Sequence, residues 1–125
     1  MSPSRIPALA VAADVVAVVV FAAVGRASHE SPEDLLGLLG TVAPFAAGLL
    51  VTWATPLVRA DPAGIRAGAA VLAGTVVIGL ALRAAFLGRL PLSFVVVTVI
   101  ALAVLMLGWR ALAAAVARTV AHRAG

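Results

Sequence analysis

The sequence predicts an all-α protein: a four-helix transmembrane bundle with up-down antiparallel topology and short loops. Hydrophobic residues make up 64% of the 125 positions and charged residues only 11%, whereas a soluble domain carries about 25% charge. Four apolar stretches have the ~20-residue length of a membrane-spanning helix, and a handful of residues joins each to the next. Such short connections favour antiparallel neighbours. We therefore expect one integral membrane domain over 1–125, without a soluble catalytic domain.

The first predicted span, approximately 6–25, contains a single charge. Asp14 lies among Ala, Val, Leu, Ile and Phe residues, and Arg5 and Arg26 flank the span. A carboxylate within such a span costs roughly 2.5–3.5 kcal/mol on insertion scales, so it should face the protein interior and have a partner. The same charge argues against a cleaved signal peptide. We interpret the segment as a retained helix.

Proline residues mark the starts of the other three predicted spans. Ser31 is a suitable N-cap, followed by Pro32 at the first helical position and two acids in the first turn. Asp61-Pro62 repeats this start signal, and Leu90-Pro91 opens the last helix. The predicted spans are approximately 32–57, 62–88 and 91–118.

The distribution of arginine predicts the orientation. All nine basic residues are arginine, and five fall on one side of the predicted bundle and three on the other: Arg5, Arg59, Arg66, Arg118 and Arg123 against Arg26, Arg83 and Arg89. The positive-inside rule then places both termini in the cytoplasm. The Ala/Val/Gly/Arg bias is typical of a high-GC bacterium, so we expect the bacterial plasma (inner) membrane. Single arginines at span ends do not indicate nucleic-acid binding.

The expected depth of Asp14 in the membrane matches that of an arginine in the fourth span. Asp14 is nine residues after Arg5, ~13 Å at helical rise. Arg110 is eight residues before Arg118, ~12 Å from the same side. The first and fourth helices run antiparallel, so the two charges can meet. Two interpretations stay open: a structural ion pair that locks the two helices, and a proton- or substrate-sensitive switch.

Small and hydroxyl-bearing residues form a stripe on one face of the second predicted helix and on one face of the third. The positions singled out are Thr41, Pro44, Gly48, Thr75 and Gly79. Small residues let membrane helices approach closely, and threonine hydroxyls can bond across the contact. Helix packing is the favoured interpretation. The alternative is a narrow polar path that ends at Arg83.

A candidate anion site is predicted at the opposite end of the bundle. Arg26 and His29 are three residues apart and can point together towards Arg83. Arginine binds phosphate and carboxylate groups through two parallel hydrogen bonds. His29 could relay protons. The alternative is a solvated rim. We expect no metal site, because only one histidine and no cysteine lies in this cluster.

No catalytic motif is found in the chain. Ser28 and His29 are adjacent, but no strained turn or oxyanion motif accompanies them. The absence of cysteine excludes disulfides, thiolate metal sites and cysteine nucleophiles. We therefore expect no enzymatic activity and no cofactor.

Several short motifs together carry a resemblance over the whole chain. They are Asp14, Gly25-Arg26-Ala27-Ser28-His29, Pro44-Phe45, Gly48, Thr75, Gly79, Arg83, Phe94 and Gly108-Trp109-Arg110. With them the chain resembles an uncharacterised family of small four-helix bacterial membrane proteins, known as a domain of unknown function. The resemblance implies the fold and the membrane location and no activity.

Two characterised families have a similar size. Small multidrug exporters are four-helix proteins with an essential carboxylate in the first helix, which Asp14 resembles. The present chain departs from them because it has no tyrosine, few aromatic residues and arginines near the site. Fluoride channels are four-helix dimers, and they resemble the chain poorly because they use asparagine, which is absent here.

These features predict a small polytopic membrane protein that transports or translocates a small or anionic ligand as an oligomer, built around Asp14, Arg83 and Arg110. The expected partners are the lipid bilayer, further copies of the chain, and an anionic lipid or small ligand. The alternative from a different class is a non-transporting scaffold or accessory subunit, followed by a membrane enzyme acting on an anionic lipid. A transporter needs a hydrated cavity that reaches Asp14 or Arg83, whereas a scaffold can be dry.

Overall fold

The computed structural model describes residues 5–27 and 35–124, and these residues form helices without any strand. The helices are α1 (Arg5–Ala27), α2 (Leu35–Trp53), α3 (Pro56–Ala60), α4 (Ile65–Leu87) and α5 (Leu92–Ala124). The prediction of an all-α protein is confirmed for this part of the chain. The prediction of four helices needs correction, because the described residues form four long helices and a short one, α3, which lies between α2 and α4.

The additional helix arises from a break inside the predicted span 32–57. α2 ends at Trp53, and Thr55 has an extended backbone (φ −81°, ψ 146°) before Pro56 starts α3. Proline has no N–H to continue the helical ladder, and it disfavours helical dihedral angles in the residue before it. Pro56 therefore starts a new helix instead of lying inside the old one.

The third long helix starts later than the predicted signal at Asp61-Pro62. Asp61 is the C-cap of α3, and its carbonyl accepts a hydrogen bond from the Gly64 N–H at 3.0 Å. Gly64 then serves as the N-cap of α4. The other end of α4 stops at Gly88, where φ is 71°, a value that glycine adopts without steric cost. Asp61-Pro62 is thus a helix stop and a turn.

The four long helices form a closed ring in which α1 and α4 each contact both α2 and α5. Contacts at the two ends of the ring fix the helix directions. One end brings together Asp14, Trp53, Gly68 and Arg110, and the other brings together Phe21, Phe45, Gly79 and Phe94. The chain passes from the first end to the second in α1 and α4 and returns in α2 and α5. The bundle is therefore up-down and antiparallel.

The composition of the helices indicates a membrane protein. Three described segments are long and apolar enough to cross a membrane, and α2 adds a shorter apolar one: Pro7–Gly25, Ile65–Leu87, Leu92–Arg123 and Leu39–Trp53. Large apolar side chains are exposed around the outside of the bundle. Lipid tails can cover such a surface, whereas water would make it costly.

The layer that contains Asp14 and Arg110 lies near one end of the bundle. Gly68, which contacts Arg110, is only three residues after Ile65 at the start of α4, ~4.5 Å along the axis. The whole of α4, with 23 residues, measures ~34 Å, close to the ~30 Å hydrocarbon core of a bilayer. The Asp14–Arg110 pair is thus nearer to a membrane boundary than the ~13 Å between Asp14 and Arg5 implies. Beyond this layer α5 continues, and its side chains from 111 to 123 are all exposed.

The predicted orientation can be tested with single cysteines, because the chain has none of its own. We expect Ser2→Cys and Ala124→Cys to be protected from impermeant thiol reagents in intact cells, since the arginine bias predicts that both ends are cytoplasmic. Arg89→Cys, on the exposed turn before α5, is the control that should be labelled. Labelling of both terminal cysteines from outside would reverse the orientation, and labelling of one alone would contradict an even number of spans.

Candidate functional site

The two charges that the sequence pairs by depth are in direct contact. The Arg110 guanidinium donates from Nη1 to Oδ1 of Asp14 at 2.8 Å and from Nη2 to Oδ2 at 2.7 Å. Both side chains have 0% exposure. This parallel two-bond arrangement is the strongest geometry for an arginine–carboxylate pair. The pair ties the middle of α1 to α5.

Two tryptophans complete the coordination of the Asp14 carboxylate. Trp109 Nε1 donates to Oδ1 at 2.9 Å, and Trp53 Nε1 donates to Oδ2 at 3.0 Å. Each carboxylate oxygen therefore accepts two hydrogen bonds, which fills about four lone-pair sites. A buried carboxylate with four donors is compensated in full and needs no water.

Arg110 also contacts the loop before α4. Its Nε donates to the Pro62 carbonyl at 3.0 Å, and its Nη1 donates to the Met106 carbonyl at 3.1 Å. The guanidinium carbon lies 4.3 Å from the centroid of the Trp109 ring, within cation–π range. We refer to Asp14, Arg110, Trp53 and Trp109 as the Asp14 network. It joins α1, α2 and α5 to the loop that leads into α4.

Gly68 provides the space in which the Arg110 side chain lies. A Cβ atom at this position would be 2.6 Å from Arg110 Cδ and 3.0 Å from Leu107 Cδ2. Arg110 is held at its far end by four hydrogen bonds, so it cannot move aside easily. The absence of a side chain at Gly68 is thus part of the site.

The opposite end of the bundle is aromatic. The rings of Phe21 and Phe45 meet edge to face with centroids 5.3 Å apart, and Phe94 lies 6.2 and 6.3 Å from them. The Arg83 guanidinium carbon lies over the Phe94 ring, 4.3 Å from its centroid. Arg83 is therefore held at this end by a cation–π contact.

A cavity of about 660 Å³ opens between α2 and α4 beside Arg83, and we refer to it as the Arg83 groove. Its walls are Gly40, Thr41, Ala43, Pro44, Ala47, Leu82, Arg83, Phe86 and Leu87. Of the lining residues that the structure describes, Arg83 alone is charged. Pro44 lies inside α2 and has no N–H to donate to the Gly40 carbonyl.

The stripe of small residues brings α2 and α4 into close contact. A Cβ atom at Gly48 would be 3.0 Å from the Gly74 carbonyl oxygen and 3.1 Å from Thr75 Cα. A Cβ atom at Gly79 would overlap the ring of Phe45. The helices therefore touch at these positions, as the packing interpretation expects. The Thr75 hydroxyl is buried there without a hydrogen-bond partner among the described residues.

Residues 11–113 match a protein family described as "Protein of unknown function (DUF3054)". The chain belongs to this family. The match spans more than four fifths of the 125 residues and includes the Asp14 network and the Arg83 groove. The expectation of an uncharacterised family is confirmed. Neither a curated protein nor a solved structure matches the chain.

Part of the anion site expected for this DUF3054 member lies outside the described residues. His29 is outside the described ranges, and of Arg26 only the backbone, near the end of α1, is described. Arg83 is thus the member of the predicted cluster that the structure places in a cavity. Within 5–27 and 35–124, no group of three His, Cys, Asp or Glu residues could hold a metal ion.

Sequence reasoning missed several residues of the DUF3054 site. Trp53, the Pro62 carbonyl and Gly68 were not predicted to belong to it, and Trp109 was known only from a motif. One signal was present, because the chain has only two tryptophans and a buried indole N–H needs an acceptor. In an apolar chain with one intramembrane carboxylate, that acceptor could have been inferred.

Proposed function

We propose that this protein transports an anionic ligand across the membrane, with the Arg83 groove as the entry site and the Asp14 network as the closure at the other end. The observation that carries the proposal is the cavity of about 660 Å³ whose described lining residues include one charged side chain, Arg83. Its volume is within the ~300–1,000 Å³ of typical small-molecule sites. A carrier needs a cavity that reaches a charge of the bundle, and the groove meets this requirement.

The chemistry of the groove favours an anion. The planar guanidinium of Arg83 offers parallel N–H donors that match a carboxylate or a phosphate. Among the lining residues that the structure describes, none is an acidic side chain that would oppose an anion. Phe94 supports the guanidinium from one face, which limits the conformational freedom lost on binding.

The Asp14 network supplies the closure. Separating Asp14 from Arg110 leaves two buried charges without partners, which costs several kcal/mol for each ion. The closed arrangement is therefore strongly favoured when no ligand is bound. A ligand can open it only by binding the open arrangement more tightly than the closed one.

The path of the ligand is expected to involve more than one copy of the chain. Large apolar side chains with at most 1% exposure fill the ring of four helices, among them Val18, Phe45, Leu49, Leu102 and Met106. Among the described residues this interior leaves no room for a polar ligand. A route along the seam between α2 and α4, completed by another copy, is consistent with the packed interior. At its far end the Asp14 network holds Trp53 of α2 and the Pro62 carbonyl of the loop before α4. The bilayer in this proposal is the bacterial inner membrane.

The second candidate is a non-transporting scaffold. It is favoured by the complete hydrogen bonding of Asp14, whose four donors are all within 3.0 Å. Such a network needs no ligand or proton to be stable. A scaffold requires the network only for stability, and it predicts no movement of any anion.

Flux through proteoliposomes separates the two candidates. We expect purified protein in phosphatidylcholine vesicles to move inorganic phosphate or dodecyl phosphate faster than protein-free vesicles do. For dodecyl phosphate, the readout is the inner-leaflet fraction that becomes accessible to an external phosphatase. Loss of a charge-assisted hydrogen bond amounts to about 1.5–3 kcal/mol, so Arg83→Ala should reduce the rate at least about tenfold.

Arg89→Ala is the matched control for this experiment. Arg89 is exposed and does not belong to the groove lining, so its removal should leave most of the flux. Equal rates in protein vesicles and in empty vesicles for both anions would overturn the transport proposal and favour the scaffold.

A further inference from the structure

We propose that the Arg83 groove takes a single-chain amphiphile with a phosphate or carboxylate headgroup, which enters sideways from the bilayer. This inference rests on the proposed function and names the class of its substrate. The apolar part of the groove would hold the hydrocarbon chain, and Arg83 would bind the headgroup.

The lining separates into an apolar wall and a polar end. Ala43, Pro44, Ala47 and Leu82 offer only hydrocarbon surface, whereas Arg83 carries the charge. A small hydrophilic anion would leave this apolar surface without a partner. An amphiphile covers it and gains free energy from the apolar area that it removes from water.

The groove opens towards the lipid. Phe86 and Leu87, which form one edge, are 82% and 57% exposed. Leu39 and Leu50, near the groove on α2, are 54% and 62% exposed. Because α2 and α4 are neighbours in the ring, a cavity between them that is bordered by these exposed side chains can be reached by the acyl chains of the bilayer. Entry from this side therefore passes apolar side chains.

The depth of Arg83 matches the position of a lipid headgroup. Arg83 is four residues before Leu87, the last residue of α4, which is ~6 Å along the axis. An α4 of ~34 Å in a ~30 Å core has this point close to the boundary between hydrocarbon and headgroups.

The short groove favours a ligand with one hydrocarbon chain, of which only a limited length can be held. On α2 the lining extends from Gly40 to Ala47, seven residues or ~10 Å. The next residue, Gly48, meets the α4 backbone, because a Cβ atom there would lie 3.0 Å from the Gly74 carbonyl oxygen. The contact between the two helices closes the groove at its inner end. A chain that follows the groove must therefore end or turn outwards after about two helical turns.

Three probes test the inference in phosphatidylcholine nanodiscs, with thermal unfolding followed by the fluorescence of the two tryptophans. Dodecyl phosphate has both the chain and the anion, dodecanol has only the chain, and inorganic phosphate has only the anion. We expect dodecyl phosphate to raise the unfolding midpoint in a concentration-dependent way. The other two probes should have no comparable effect at the same concentrations.

Variants of the groove sharpen the test. Arg83→Ala should weaken the apparent Kd for dodecyl phosphate at least about tenfold, and Arg83→Lys should retain part of the affinity because the charge remains. Ala47→Phe should fill the apolar part and weaken binding without removing the charge. Val104→Phe is its control, since Val104 is 65% exposed on α5, outside the groove lining.

The outcomes distinguish this inference from the proposed function. Equal stabilisation by inorganic phosphate and dodecyl phosphate would overturn the amphiphile class, while phosphate flux would leave the transport proposal standing. Arg83-dependent binding of dodecyl phosphate without flux of either anion would support the ligand class and overturn transport. Equal stabilisation by dodecanol, or binding unaffected by Arg83→Ala and Ala47→Phe, would overturn the headgroup assignment.

Discussion

Asp14→Asn and Arg110→Leu will each lower the free energy of unfolding by about 3–5 kcal/mol. Each change leaves the other partner buried at 0% exposure without its counter-charge. Arg110→Leu also removes the donors to the Pro62 and Met106 carbonyls. Because the two losses overlap, the double variant should lose less stability than the sum of the single variants. Reversible unfolding in mixed micelles with increasing dodecyl sulfate would measure the free energy of unfolding of the wild type, both single variants and the double variant.

Arg118→Leu is the control for the cycle. Arg118 is exposed on the part of α5 beyond the bundle, so its removal should change the stability little. Strict additivity of Asp14→Asn and Arg110→Leu would contradict the pairing, whatever the size of the single effects.

The second large effect is expected at the close contact between α2 and α4. Gly79→Ala should lower the free energy of unfolding by about 1–3 kcal/mol, the usual penalty for overpacking a well-packed interior. The new Cβ atom would overlap the Phe45 ring. That ring has no room to move, because it packs against Phe21 and Phe94.

Gly108→Ala provides the matched control for Gly79→Ala. Gly108 also lies within a long helix, and a Cβ atom there would have no neighbour within 4 Å. The change should therefore be neutral, or stabilising by about 0.5–1 kcal/mol through the higher helix propensity of alanine. Equal destabilisation by both substitutions in the same micelle assay would show that helix propensity, and not the contact with Phe45, determines the result.

The fold could be predicted from the sequence where strong physical constraints act on single elements. Long apolar segments in a chain with 11% charge can be stable only as helices that pack on one another or face lipid. Short connections then impose the antiparallel order. The helix ends were predicted less well, because the start signal at Asp61-Pro62 has the same residues as the turn that the structure forms there.

The pair of Asp14 and Arg110 could be inferred for a similar reason. A buried carboxylate requires a partner, and few candidates had the right depth. The remaining donors depend on tertiary structure, because Trp53 reaches Asp14 from 39 positions away and the Pro62 carbonyl reaches Arg110 from 48 positions away. Local sequence does not encode such contacts.

The Arg83 groove could not be predicted for a different reason. A cavity is the volume that side chains leave unfilled, and it depends on the angle and separation of two helices. The spacing of Thr41 and Pro44 indicated one face of α2, and Arg83 was a candidate for an anion site. The sequence did not show that these residues border one space.

The distance between α1 and α5 beside the Asp14 network tests most directly whether this network is a closure. Spin labels at Leu9 and Leu112, which are 50% and 67% exposed, can report it by pulsed dipolar spectroscopy in phosphatidylcholine nanodiscs. We expect one distance population without ligand and a second, longer one with saturating dodecyl phosphate. Asp14→Asn should populate the longer distance without ligand. A single distribution that neither dodecyl phosphate nor Asp14→Asn changes would contradict the role of the network as a closure and leave it a fixed structural tie.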